Sequence, residues 1–257
     1  MPVSKDLTDV NVVDKVRLVI NKGVIFKSPV IIEGFQGIGL VGTLTAQYMA
    51  QKMGFEMIGY VDSEGIPPLA LLVNGEIRNP VKIFSNKQRD IVIIESELSI
   101  PRKIIYELSE EIAKWAKKIG AREIICIEGI AVPDEERDYE VLGMSTDVKL
   151  MANLSKKGVK KLDNGIVIGM SAALLLKSMN YKVPATCLMV ESRDKFPDGM
   201  AAAAVIDTLG KIYNFKIDVT ELKNQATAFE KKIEKVLTHA QQLTHIEDGS
   251  PKRSIYG

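Results

Sequence analysis

Short apolar runs bounded by turns alternate with helical patterns along this chain. Val30-Ile31-Ile32 is β-branched without polar alternation, the pattern of a strand covered on both faces. Met57–Val61, Val81–Phe84, Ile91–Ile94, Ile124–Ile127, Gly165–Ile168 and Thr186–Val190 read as further strands. Leu69–Val73 and Glu76–Arg78 flank Asn74-Gly75, a two-residue hairpin signal that adds an antiparallel piece. Helical spacing covers about 38–53, a helix capped by Ser99 with Pro101 in its first turn and stopped by Gly120, then Ala172–Met179, Met200–Tyr213 and Thr220–Leu243. Strands interleaved with helices imply crossovers, so an α/β fold with a largely parallel sheet is expected. The polar stretch Pro133–Asp147 reads as an exposed loop.

The last helix carries Leu222, Ala226, Phe229, Ile233, Val236, Ala240 and Leu243 at alternating four- and three-residue spacing. This heptad-like stripe packs either on the chain's own body or on a neighbouring subunit. Trp115 stands at helical spacing from Ile112 and Ile119 and reads as core.

Charge removes some functions. With 34 Lys+Arg against 33 Asp+Glu the net charge is +1, and a groove that neutralises many phosphates needs a basic excess, so no nucleic-acid partner is expected. No apolar run reaches the roughly 18 residues of a membrane span, so no membrane partner is expected. The opening Met1-Pro2-Val3-Ser4-Lys5-Asp6 lacks the apolar core of a secretion signal, which points to a cytoplasmic protein. Cys126 and Cys187 sit inside apolar runs and read as buried thiols in a reducing compartment. Two histidines, His239 and His245, leave almost no material for a zinc site.

Gly37-Ile38-Gly39-Leu40-Val41-Gly42 matches G-x-G-x-x-G between a strand and a helix, the setting of a dinucleotide-binding turn, with Asp62 as a possible ribose acceptor. On this reading Gly37, Gly39 and Gly42 bind a nucleotide cofactor or serve a nucleoside-processing enzyme. On the plainer reading the glycines only let strand and helix approach closely. Phe35 and Gln36 put bulk beside the phosphate position, no catalytic acid–base set accompanies the turn, and no Gly-Lys-Ser/Thr makes a P-loop. Glu95, Glu97 and Glu128 stand at strand ends, where paired carboxylates can act as acid and base but more often cap or face solvent. Asp134-Glu135-Glu136 reads as solvated surface.

The nonapeptide Gly34–Gly42 resembles the opening signature of the archaeal proteasome-assembly chaperone family. The resemblance continues in order: Gly59–Pro68, Ser96-Glu97 before Ile100-Pro101, Trp115-Ala116, Glu128-Gly129-Ile130, Gly165–Leu176, and Phe196-Pro197-Asp198 with Ala201-Ala202-Ala203. It spans about residues 20–240, with a departure at Gly199-Met200, where many relatives have proline and arginine. The resemblance implies a three-layer α/β/α sandwich with a mixed, largely parallel sheet, similar to the nucleoside phosphorylase-like fold. It also implies no enzymatic activity, homo-oligomers, and binding to proteasome α-subunits of the 20S core particle as an assembly chaperone or ATP-independent activator; no cofactor or metal is expected.

Residues 1–243 are expected to form one domain and 244–257 a flexible tail. The tail ends in Ile255-Tyr256-Gly257, which resembles the C-terminal hydrophobic–tyrosine–any motif of proteasome-docking proteins. The alternatives are the nucleotide-binding enzyme and an oligomeric scaffold for another client.

Overall fold

A computed structural model describes residues 15–73, 75–133, 137–194 and 196–228. The first half holds β1 (Val16–Ile20), β2 (Val30–Gly34), α1 (Val41–Lys52), β3 (Glu56–Ser63), β4 (Leu71–Val73), β5 (Glu76–Arg78), β6 (Val81–Ser85), β7 (Ile91–Ser96) and α2 (Ile105–Lys118). The second half holds β8 (Glu123–Ala131), β9 (Leu142–Ser145), α3 (Val148–Lys156), β10 (Lys160–Lys161), α4 (Gly169–Tyr181), β11 (Ala185–Ser192) and α5 (Gly199–Tyr213). A final helix begins at residue 220 and is described to residue 228.

Among the described residues nine strands form one mixed sheet in the order β1-β3-β6-β7-β2-β8-β11-β9-β10. Its centre, β7-β2-β8-β11, is parallel. The strands β1, β3 and β6 extend one flank antiparallel, and β9 pairs antiparallel with β11 on the other. The hairpin β4–β5 stands apart as its own two-stranded sheet, with Gly75 at φ +83° in the turn.

The central strands are apolar on both faces because both faces are covered. Val30, Ile32, Ile91, Ile93, Ile125 and Ile127 pack with α1, α3 and α5 on one side. Ile31, Val92, Ile94, Ile124 and Cys126 pack with α2 and α4 on the other. A period-two pattern that is apolar at every position therefore reports a three-layer α/β/α arrangement. Cys126 and Cys187 are buried free thiols facing each other across β8 and β11, and burial holds both well above the usual thiol pKa. Trp115 is half-buried and meets Phe26 edge-on at 5.5 Å.

Several local expectations are corrected. Gly165–Ile168 is not a strand: it is irregular chain leading into α4, and Ile166 and Ile168 are 91% and 78% exposed. The β-branched run resembles a buried strand, but the places beside β8 and β11 are taken by β2 and β9. Ser99 does not cap a helix. Its Oγ donates to Gln36 Oε1 at 3.1 Å, and a 3-10 turn over Arg102–Ile104 intervenes before α2. The loop expected over Pro133–Asp147 contains β9, while β1, α3 and β10 have no counterpart in the sequence expectations. The acidic run 134–136 and the tail 244–257 lie outside the described residues.

The start of the last helix packs on its own subunit. Leu222 is buried in the α1/α5 core. A Cβ on Gly199 would come within 2.9 Å of Ala226 Cβ, which accounts for glycine at this position. Phe229 and the rest of the stripe lie outside the described residues.

Candidate functional site

The glycine turn lies at the C-terminal ends of the parallel strands, where the chain passes from β2 into α1. It is shaped by packing. Gly39 adopts φ +61°, and a Cβ there would lie 1.8 Å from Ser192 Oγ. A Cβ on Gly37 would lie 2.8 Å from Glu128 Oε2, and one on Gly42 would meet the carbonyl oxygens of Phe35 and Ile127 at 2.8 and 3.0 Å. The space a phosphate needs above Gly39 is filled by β11, and a carboxylate stands beside Gly37. That geometry and charge disfavour a pyrophosphate. Asp62 is no ribose acceptor for this turn: β3 lies three places from β2, and Asp62 pairs with Arg17 on edge strand β1.

The turn is tied to its surroundings through polar residues. Gln36 Nε2 donates to the Glu97 carbonyl at 2.7 Å. The Asp198 amide donates to the Gly39 carbonyl at 2.8 Å, while the Asp198 carboxylate accepts from the amides of Ala201 and Arg193 and from Arg137. Asp198 is thus both the N-cap of α5 and a strut under the glycine turn.

Below the turn lie two groups of carboxylates. In the first, Lys82 Nζ sits 2.8 Å from both Glu95 Oε1 and Glu97 Oε1, with Lys82 and Glu95 almost fully buried. Burial pushes the Glu95 carboxyl up, and the ammonium of Lys82 opposes that shift. Glu95 is thus neither a cap nor solvent-facing, while Glu97 stays partly exposed. In the second, Ser171 on α4 stands between Glu33 on β2 and Glu128 on β8, at 3.2 and 2.6 Å. Burial, reinforced by the neighbouring Glu128 charge, raises Glu33 from 4.5 to about 8. Glu128 is also raised by burial, with the Ser171 hydroxyl acting against it. The hydroxyl has one hydrogen to give, so the consistent arrangement at neutral pH is a protonated Glu33 donating to Ser171 Oγ, and Ser171 donating to Glu128. Glu33 Oε1 also accepts the Phe35 amide at 3.0 Å.

Glu128 borders a cavity of about 230 Å³ walled by Ile38, Gly129, Ile130, Ile166, Ile168 and Met189. A larger hollow of about 360 Å³ lies at the far sheet edge among Lys15, Arg17, Asp62 and Glu64, whose charged chains are solvated. Among the described residues no cluster of His, Cys, Asp or Glu could hold a metal ion, and no helix is long and apolar enough to cross a membrane.

Sequence reasoning named Glu95, Glu97 and Glu128 but missed Glu33, Lys82, Ser171 and Ser192. A signal existed for Glu33: it directly follows Val30-Ile31-Ile32, so a charge stands in a strand buried on both faces. The expected docking residues Ile255, Tyr256 and Gly257 lie outside the described residues.

This layout is that of an α/β domain whose conserved-looking turn is a packing joint, and its relatives agree on the class. The chain belongs to the PAC2 family, whose model matches residues 31–237. It is 29% identical to an uncharacterised protein of Methanocaldococcus jannaschii over 95% of this chain and 98% of that one. Among solved structures, Pyrococcus furiosus PbaA, an archaeal homologue of proteasome-assembly chaperone, is similar with a TM-score of 0.81 and 27% identity, covering 91% of this chain and 96% of its own. Pyrococcus furiosus PbaB, an archaeal proteasome activator, is similar with a TM-score of 0.77 and 25% identity, covering 87% and 99%.

Proposed function

We propose that this chain is a proteasome-assembly chaperone or ATP-independent proteasome activator that works by binding and not by catalysis. The observation that carries the reading is the near full-length similarity to PbaA, supported by that to PbaB. The partner is the α-ring of the 20S core particle, engaged by the C-terminal Ile255-Tyr256-Gly257. A terminal carboxylate can pair with a lysine in a pocket, and Tyr256 supplies a large apolar face with a hydroxyl. One such tail binds weakly because ordering it costs free energy. A homo-oligomer carrying several tails gains avidity of about 10²–10⁴ when their spacing fits. Self-association is favoured by the hairpin β4–β5, where the cross-strand pair Leu72 and Ile77 is 74% and 79% exposed.

The nucleotide reading loses support from the packing of Gly37, Gly39 and Gly42 against Glu128, Ser192 and backbone carbonyls. A pull-down on archaeal α-rings, with the full chain and a form lacking residues 255–257, tests the proposal. Retention of the full chain alone is expected. Equal retention of both forms refutes the tail mechanism, and retention of neither refutes the partner. Sedimentation equilibrium of the free protein tests the oligomer: a monomer mass at micromolar concentration removes the avidity argument.

A further inference from the structure

The proposed tail docking makes no use of the Glu33–Ser171–Glu128 group. Glu128 is half-buried, accepts one hydrogen bond from Ser171, and is paired with no lysine or arginine among the described residues. A carboxylate at an apolar border, half-shielded from water and without a counter-charge, favours a cationic partner. Glu33 supplies no positive charge, since at neutral pH it is a neutral acid donating to Ser171. Of the two carboxyls, Glu128 is therefore the one that faces the cavity.

The cavity around that carboxyl has the opposite character. Its walls are Ile38, Ile130, Met189 and the two isoleucines of the 165–168 segment, Ile166 and Ile168. Those two are the most unfavourably exposed aliphatics near the turn, at 91% and 78%. Gly37 has no side chain there to crowd Glu128 Oε2. An apolar-walled hollow with one convergent polar group is the usual form of a small-ligand site. Its volume of about 230 Å³ lies below the roughly 300–1,000 Å³ of drug-sized sites, which restricts the occupant to about one ring or a short aliphatic body.

We infer that this cavity is a binding site for an organic cation, an ammonium or amidinium on a small apolar body, held by Glu128 against Ile166 and Ile168. The carboxylate rejects phosphates and carboxylic acids, and the walls cover the apolar part of the ligand. The cation belongs either to a free small molecule or to an arginine side chain of a protein.

The test uses the full chain with isoleucine methyl groups labelled for NMR. Benzamidine, benzamide and benzoate serve as matched probes of one shape and differing charge. Benzamidine at millimolar concentration is expected to shift the methyl signals of Ile166, Ile168 and Ile130, and the other two are expected to leave them in place. Glu128→Gln is expected to weaken benzamidine binding about tenfold or more, because it removes a charge-assisted hydrogen bond. N-acetyl-arginine amide separates the sources: tighter binding than benzamidine assigns the site to an arginine side chain, weaker binding to a free small-molecule cation. Benzamide acting as strongly as benzamidine overturns the inference, as does undiminished benzamidine binding to Glu128→Gln or the absence of shifts with every cation. The comparison of the three probes needs only the unmodified protein, so it stands even where Glu128→Gln folds poorly.

Discussion

Ser192 Oγ occupies the place that a Cβ on Gly39 would take, 1.8 Å from its ideal position. The end of β11 and the β2–α1 turn are thereby locked at a distance that no side chain on residue 39 permits. The backbone there is also left-handed, at φ +61°. Gly39→Ala adds about 1–2 kcal/mol of backbone strain and about 1–3 kcal/mol of overpacking. Urea unfolding is expected to show a loss of about 2–5 kcal/mol. Ser192 Oγ is buried with no hydrogen-bond partner, so Ser192→Ala alone is expected to be neutral or slightly stabilising. The double variant recovers only part of the loss, because Ser192 Cβ and the Arg193 carbonyl still stand at 3.0 and 3.1 Å. Strict additivity of the two changes is the result that refutes this lock.

Glu33 gives the fold a pH dependence of unusual sign for a carboxylate. Its folded pKa of about 8 lies above the unfolded value near 4.5, so the folded state holds the proton more tightly. Stability is full below about 4.5 and falls as pH rises towards about 8, since the unfolded chain releases the proton first. Glu33→Gln imitates the protonated acid: it can still accept the Phe35 amide and donate to Ser171. The difference in unfolding free energy between the two proteins, measured from pH 5 to pH 8, is expected to move in favour of the variant by a few kcal/mol. A difference that stays flat over this range shows that Glu33 is not the group held neutral.

How far the sequence reveals this architecture depends on which interaction decides each element. The central strands were legible because runs such as Ile91–Ile94 are apolar at every position, which only burial on both faces explains. The same signal misled at Ile166-Val167-Ile168, because β-branching reports local preference and not whether a neighbouring strand is free to pair. Ser99 misled similarly: a serine before a helical run reads as a cap, but its hydroxyl is drawn away by Gln36, 63 residues distant. The glycine turn was recognisable as a turn, yet its role depends on Glu128 and Ser192, which only the fold brings beside it. Glu33 and Ser171 lie 138 residues apart, so their pairing has no local signature.

The Lys82 group is expected to be the most fragile polar contact in the sheet. Lys82→Met removes the ammonium that lies 2.8 Å from buried Glu95 and leaves that carboxylate uncompensated. Breaking one partner of a buried pair costs about 3–5 kcal/mol. Adding Glu95→Gln to Lys82→Met removes the stranded charge and is expected to restore much of the stability in thermal unfolding. If Lys82→Met alone unfolds at the wild-type temperature, the contact is energetically idle.

The tail proposal makes a quantitative demand on Tyr256. Burying a tyrosine face contributes about 1.5–3 kcal/mol, so Tyr256→Ala should weaken each tail by about tenfold to a hundredfold. In an oligomer every copy carries the change, and avidity multiplies the copies' contributions, so the loss at an immobilised 20S particle should exceed the single-tail figure. A free peptide ending in Ile-Tyr-Gly carries one tail and no avidity, so its own response to the substitution isolates the single-tail loss. Surface plasmon resonance of both ligands on the same particle separates the two contributions. Unchanged dissociation of the full chain on Tyr256→Ala means the body and not the tail holds the ring. A loss equal in protein and peptide means that one tail at a time is engaged.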